Sequence, residues 1–512
     1  MKSASARTTA KPIHQTEDRR SETVLPRART RLVAAASVAA ATGFLLYQLA
    51  PDVKGKALYE DEAVTALISM RPLTEAFDTV VLDRGGAPLH FVLTHFVFSV
   101  DASSSALRWL SVVFALAAVP LCFDLGRRLG GLGAGVVAAV VVASSTALAV
   151  YGSFGRMYAL FVFVAALFAD LFVRALEVRT TSAVALAAAA GWLLPAVHPY
   201  GAIPALVALI AAAVIWRGRP LSSAVPVVVA VAAALPLLYG DLRLADRASV
   251  GAGGEQSLAS PGEAWGQLVG AVSAFAGGDG AALVFFTALA LVGLAVLLRR
   301  SPAVAALAVS TAIPPLLFAL VRTESAPDLS PRHLFYGLPL WAAAIGVGAT
   351  TLTRRLSAPL AAACLVLVAA IAVVAPASAL RDPRDFELGT SPVGESRSIH
   401  AGRQDLLLPY EPVFLAALPD VRQALALPHA PGNEILRTLE HADDPIGAVV
   451  VAIPTSPATV IRLQGPFDKP GALSAAADAI TGSRHPASLD WWFDRIERGL
   501  CEALRGLSRP CP

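Results

Sequence analysis

The chain has 512 residues, of which 55% are hydrophobic and only 15% charged, with a formal net charge of +3. So apolar a chain of this length cannot hide its hydrophobic residues in one soluble core, which excludes an ordinary water-soluble enzyme, and the near-neutral balance identifies no partner. A bilayer core about 30 Å thick takes roughly 20 apolar residues per helix. Runs of that kind recur from residue 32 to residue 377, continuous in Ala, Val and Leu rather than alternating as in an outer-membrane barrel. The expected fold is an all-α polytopic membrane bundle of about eleven transmembrane helices.

Residues 1–31 are rich in Ser, Thr and Arg and end on Arg27, Arg29 and Arg31, which reads as a disordered cytoplasmic tail before an uncleaved anchor rather than a cleaved signal peptide. Spans are expected near 32–50, 105–125, 132–150, 157–175, 181–197, 201–216, 221–239, 281–298, 302–321, 333–352 and 357–378. The first outer loop, 51–104, contains YEDEAVTAL and then RGGAPLHFVLTHF. Its apolar stretch 87–100 is too short to cross, and His90, Thr94, His95 and Ser99 share one half of a helical wheel, so it reads as a helix lying in the interface. That assignment leaves Arg127 and Arg128, Arg174 and Arg179, Arg217 and Arg219, Arg299 and Arg300, and Arg354 and Arg355 together on the cytoplasmic side. Facing outward are the turns at 151–156, at His198-Pro199-Tyr200 and at 322–332, and a long loop from Asp241 to Gly280.

After residue 378 the composition becomes polar, Pro-rich and mixed in charge. Residues 379–512 therefore form a small C-terminal extracytoplasmic domain of α/β type, with a helix over 433–441, a buried strand over 448–454 and a helix over 488–507. Cys501 and Cys511 are placed to pair in an oxidising compartment, or to remain free, whereas Cys122 and Cys364 fall inside spans as packing residues.

The chemistry-bearing residues collect at the outer face. Asp61 and Glu62 are adjacent acids just beyond the first span, suited to accepting a proton or simply to opening a helix. Arg156 in GRMYAL and Arg332 in PRHLFYGLPLW each stand where an apolar run begins, as interfacial anchors or as a pair of phosphate ligands. His198 marks a helix boundary within reach of the same ligand. His90 and His95 are five residues apart with no third partner, which disfavours zinc. There is no P-loop, dinucleotide glycine pattern or nucleophile elbow, and neither nucleotide chemistry nor a nucleic acid partner is expected.

The order of the acid pair, the segment Gly86-Ala87-Pro88-Leu89-His90, ALRWLSVVFAL, GRRLGGLGAG, GRMYAL and PRHLFYGLPLW resembles the GT-C membrane glycosyltransferases. Within them it is similar to the subgroup of protein O-mannosyltransferases, lipid A aminoarabinose transferases and RgtA/B/C/D-like bacterial enzymes, over roughly residues 32–378. The resemblance implies inverting transfer of a sugar, mannose-like or other, from a polyprenyl-phosphate donor to a cell-envelope glycan, lipid or protein. The setting is the outer face of a bacterial plasma membrane, with membrane lipids around the site. By similarity Asp61 is the base, with Glu62 as support or substitute. Arg156 and Arg332 stabilise the leaving phosphate, Tyr158 and His198 contact the donor, and His90 faces a groove shaped by the surface helix. Many relatives carry an acid just before the arginine of the fourth span, where this chain has Phe154 and Gly155. No cofactor is therefore assigned, and a divalent metal is the less favoured version. A transporter or flippase of lipid-linked sugars, or an inactive scaffold of the same fold, stays open as an alternative. Transporters, however, place ionisable groups at the bilayer midplane rather than at one face.

Overall fold

A computed structural model describes residues 27–53, 60–83, 87–215, 224–251, 261–276, 278–320, 329, 331–379, 405–408, 423–424, 445–453, 459–483 and 490–510. The bundle opens with α1 (Arg27–Val53) and three short helices, α2 (Glu60–Ser69), α3 (Leu73–Asp83) and α4 (Leu89–Phe98). It continues through α5 (Ser104–Gly130), α6 (Leu132–Ser144), α7 (Thr146–Tyr151), α8 (Tyr158–Val178), α9 (Thr181–Val197), α10 (Ala202–Ile215) and α11 (Val225–Gly251). Then come α12 (Pro261–Ala276), α13 (Ala281–Arg300), α14 (Pro302–Val309), α15 (Ile313–Leu320), α16 (Leu338–Thr353) and α17 (Ala358–Ala379), with 3-10 turns at Pro199–Gly201, Ser310–Ala312 and Pro331–Gly337.

Among the described residues six helical segments are long and apolar enough to cross a membrane: those of α1, α5, α8, α13, α16 with its preceding turn, and α17. The remaining apolar helices are shorter, and hydroxyl side chains explain two of the breaks. The stretch 132–150, expected as one helix, divides at Ser145, whose hydroxyl donates to the Val142 carbonyl and accepts the Leu148 N–H that opens α7. The stretch 302–321 divides at 310–312, where Ser310 and Thr311 bond back to the carbonyls of Leu307 and Ala308 just before Pro314 and Pro315. Close backbone approach holds the centre together. A side chain added at Gly293 of α13 would overlap the Ala344 carbonyl, and one at Gly348 of α16 would overlap that of Leu289. Lipid offers helices little hydrophobic reason to associate, so such small-residue contacts do the packing.

Direction within the bundle follows from one ion-pair network. Arg128 reaches Asp124 at 2.8 Å, Asp170 at 2.9 Å and Glu177 at 3.0 Å, and Arg127 also pairs with Asp124. This joins the C-terminal ends of α5 and α8, so the two helices run the same way. Their N-terminal ends, near Arg108 and Arg156, share the opposite end of the bundle.

The C-terminal part contains a four-stranded sheet of order β2-β1-β3-β4, built from β1 (Leu406–Leu408), β2 (Gln423–Ala424), β3 (Ile446–Ile453) and β4 (Thr459–Phe467). β1 is parallel to both its neighbours, and β3 pairs antiparallel with β4. The helices Lys469–Thr481 and Asp490–Gly506 share a core with it that includes Val449, Val451, Leu473, Phe493 and Leu500. β3 occupies the expected strand and Asp490–Gly506 the expected last helix, whereas the helix expected over 433–441 lies outside the described residues. Cys501 is disulfide-bonded, Cys122 and Cys364 are free, and Cys511 lies outside the described residues.

Candidate active site

Short helices with polar inner faces cover this end of the bundle. On α2, Glu62, Thr65 and Ser69 follow a helical spacing along one face and are all buried, and on α4 so are His90 and Thr94, one turn apart. Apolar contacts among Ile68, Ala76, Val80 and Phe91 hold α2, α3 and α4 together. The Ser69 hydroxyl donates to the Phe91 carbonyl at 3.2 Å, and His95 Nδ1 donates to the Ser69 carbonyl at 2.9 Å, clipping α2 to α4. Buried polar side chains on two surface helices are the informative signal here, because packing alone would have used apolar residues.

Glu62 accounts for much of this polarity. Its carboxylate, 1% exposed, accepts Arg108 Nε at 3.0 Å, Arg108 Nη2 at 2.7 Å and the Gly155 N–H at 2.7 Å. Arg108 is itself only 5% exposed, so the pair is a buried bidentate bridge that needs every one of these bonds. A Cβ at Gly155 would lie 2.6 Å from Leu107 Cγ and 3.0 Å from Glu62 Oε1, so only glycine lets the backbone N–H come this near the carboxylate. Asp61 stands beside Glu62 in the first turn of α2.

The bridge fixes the turn carrying Arg156, whose Nη1 donates to Thr65 Oγ1 at 3.2 Å and whose carbonyl accepts the Ser111 hydroxyl at 3.5 Å. Across from it, the 3-10 turn before α16 sets Arg332 with its guanidinium carbon 5.7 Å from the Tyr158 ring centroid, a cation–π contact. The His198 ring is buried, stacked on Phe161 at 4.8 Å and centred 5.3 Å from His333 and 6.3 Å from Tyr158. His198 Nδ1 accepts the Tyr200 N–H at 3.2 Å. Burial, then His333, Arg156 and Arg332, push its imidazole well below the ordinary histidine range, so it is neutral at physiological pH. His90, 1% exposed, is neutral for a similar reason, with burial and then the Arg156 charge lowering it to about 3. The structure thus brings Arg156, Tyr158, His198 and Arg332 to one place, with His90 and the acid-bearing α2 beside them.

Three members of the cluster were not singled out from the sequence: Arg108, Thr65 and His333. Arg108 was detectable as a charge inside the apolar run ALRWLSVVFAL, and Thr65 as the residue one turn beyond Glu62. His333 carries no signal beyond its place next to Arg332.

No family model and no curated protein sequence matches the chain. Among solved structures it is similar to ArnT from Cupriavidus metallidurans in the apo state, with 13% identity and a TM-score of 0.56. It is also similar to the same protein bound to undecaprenyl phosphate, with 14% identity and a TM-score of 0.54. Each comparison covers 83% of this chain and 93% of the other. The chain shares the fold of ArnT. At these identities the likeness speaks for the fold, and the site must be argued from its own residues.

The carboxylate of Glu62 is engaged by protein groups. Both Glu62 oxygens are taken by Arg108 and the Gly155 N–H, and position 155 has no side chain to offer. Among the described residues no three His, Cys, Asp or Glu side chains are grouped to hold an ion.

Proposed function

We propose that this protein is a membrane glycosyltransferase that moves a sugar from a polyprenyl-phosphate donor to a cell-envelope acceptor on the outer face of the plasma membrane, with inversion. The observation that carries the reading is the meeting of Arg156 and Arg332 around the neutral His198 and Tyr158, one helix away from Asp61, in a fold whose solved relative was captured with undecaprenyl phosphate. Two guanidinium groups on one side of the bundle suit a phosphodiester, since each stays charged and can hold two oxygens. The polyprenyl phosphate is released as an anion and needs charge stabilisation rather than a proton. His198, kept neutral, adds a hydrogen bond without adding a titrating charge. Asp61 takes the proton of the acceptor hydroxyl as that oxygen attacks the anomeric carbon from the side opposite the phosphate. Glu62 is a positioning residue: it holds Arg108 and the Gly155 turn, and through that turn Arg156.

Residues 32–378 are then the transferase domain and 379–512 an extracytoplasmic appendage, with the N-terminal tail in the cytoplasm. The Cys501 disulfide supports that side assignment, because such bonds persist in oxidising compartments. The test uses purified protein in proteoliposomes, a radiolabelled polyprenyl-phosphate sugar and an envelope extract as acceptor. Wild type should transfer label, and Asp61→Asn should bind the donor normally but transfer less than about a hundredth as fast. Label crossing the bilayer without transfer would favour a flippase instead, and equal transfer by both proteins would remove Asp61 from the chemistry.

A further inference from the structure

His90 and Thr94 are buried polar side chains that the transfer step leaves without a task. They are 1% and 0% exposed and lie one turn apart on the inner face of α4. Neither nitrogen of the His90 ring nor the Thr94 hydroxyl has a hydrogen-bond partner. Three such atoms on one face of one helix are costly to folding, since buried donors and acceptors are nearly always paired. The rest of α4 reads LHFVLTHFVF, almost wholly apolar, so the two polar positions are a local departure rather than a general tolerance. They also have a direction. α4 packs against α2, whose Thr65 accepts Arg156, and the Arg156 charge is near enough to act on His90.

The chemistry of the set narrows what it can receive. A neutral imidazole offers one donor and one acceptor, and a threonine hydroxyl offers both. That mixture suits alcohol groups, which likewise donate and accept. It does not suit a phosphate, which wants donors alone, or a lipid tail, which wants neither. We propose that His90 and Thr94 form a subsite for the hydroxyl groups of a sugar ring, placed beside the arginine that holds the phosphate. The assignment rests on the transferase reading above. The ring is either that of the donor, one bond from the phosphate, or that of a glycan acceptor.

The test uses the full-length protein in nanodiscs, as wild type and as Thr94→Val, His90→Phe and His90→Gln. Thr94→Val keeps the side-chain shape, and His90→Gln keeps a donor and an acceptor, so loss of function is separable from loss of folding by thermal unfolding of the same samples. Binding is measured to undecaprenyl phosphate and to undecaprenyl phosphate bearing mannose, glucose, galactose or arabinose, and transfer kinetics are measured with an envelope glycan. For a donor subsite, Thr94→Val and His90→Phe weaken the glycosylated lipid that wild type prefers by about three- to ten-fold. They leave the bare lipid phosphate within about two-fold, and His90→Gln falls between. For an acceptor subsite, donor affinities hold and the acceptor KM rises by a similar factor while kcat is kept. Variants that match wild type in every arm, or that weaken bare and glycosylated lipid equally, overturn the subsite. Wild type that binds no undecaprenyl phosphate at all overturns the transferase reading on which it rests.

Discussion

Exchanging Glu62 for Gln keeps the size of the side chain and removes one charge from the interior. In the wild type the two carboxylate oxygens accept from Arg108 at 3.0 and 2.7 Å and from the Gly155 N–H at 2.7 Å. A glutamine offers one acceptor oxygen, and its amide NH2 faces groups that can only donate. Arg108, 5% exposed, keeps its charge and loses the bidentate partner that Glu62 supplies. Breaking a buried pair from one side in this way costs about 3–5 kcal/mol. The double variant Glu62→Leu with Arg108→Met removes both charges and should recover most of that stability, because a buried pair exchanged for apolar side chains is often neutral. Thermal unfolding in detergent, read as the monodisperse fraction after heating, measures the first effect, and sugar transfer by the same samples measures the second. Glu62→Gln should unfold well below wild type and lose transfer, and the double variant should regain the unfolding temperature but not the activity. Glu62→Gln that unfolds with wild type would refute the clamp. If it did so while losing transfer, Glu62 would belong to the chemistry itself.

Arg156→Lys and Arg332→Lys keep the charge and lose the planar fork, so each should weaken undecaprenyl phosphate binding about ten-fold by equilibrium titration; unchanged affinity would remove that arginine from the phosphate site. Gly155→Ala sets a methyl group 2.6 Å from Leu107 Cγ, which should cost about 1–3 kcal/mol and displace the Arg156 turn, visible as joint loss of unfolding temperature and donor affinity. Folding lowers the His90 value from 6.5 to about 3, so the unfolded chain takes up a proton that the folded one refuses. Its stabilisation is therefore complete above about pH 6.5 and is lost as the pH falls, by up to about 1.4 kcal/mol per unit. His90→Phe should flatten that acid limb between pH 6.5 and 4.5, and parallel limbs in the two proteins would contradict the assignment.

Much of the bundle was legible because a membrane span needs only length and apolarity, which one sequence displays. Where it was not, a polar side chain made the difference: Ser145 and the Ser310-Thr311 pair turn two expected spans into shorter helices by bonding to their own backbone. The loop 51–104 hid more, since α2 and α3 are too short to show a clear period, and burial there places polar residues inward. Arg156, Tyr158, His198 and Arg332 were found as outer-face residues, and the folded chain brings them together. Arg108 was passed over because an arginine at the start of an apolar run reads as a lipid anchor until its partner is known. Phe154-Gly155 read as the place of a missing acid. The geometry gives the glycine a task of its own, and that depends on a residue 93 positions away. β4 was missed because its alternation ends in Gly465-Pro466, which reads as a turn.

The contact between Glu62 and Gly155 also makes residues 62, 108 and 155 a single inherited unit. An aspartate at 155 would press a second carboxylate against the first and displace Leu107, so a chain with an acid there cannot keep the Glu62–Arg108 arrangement unaltered. The two layouts are mutually exclusive, and passage between them takes at least two coordinated replacements. Each intermediate on that route carries either a buried guanidinium deprived of Glu62 or two opposed acids.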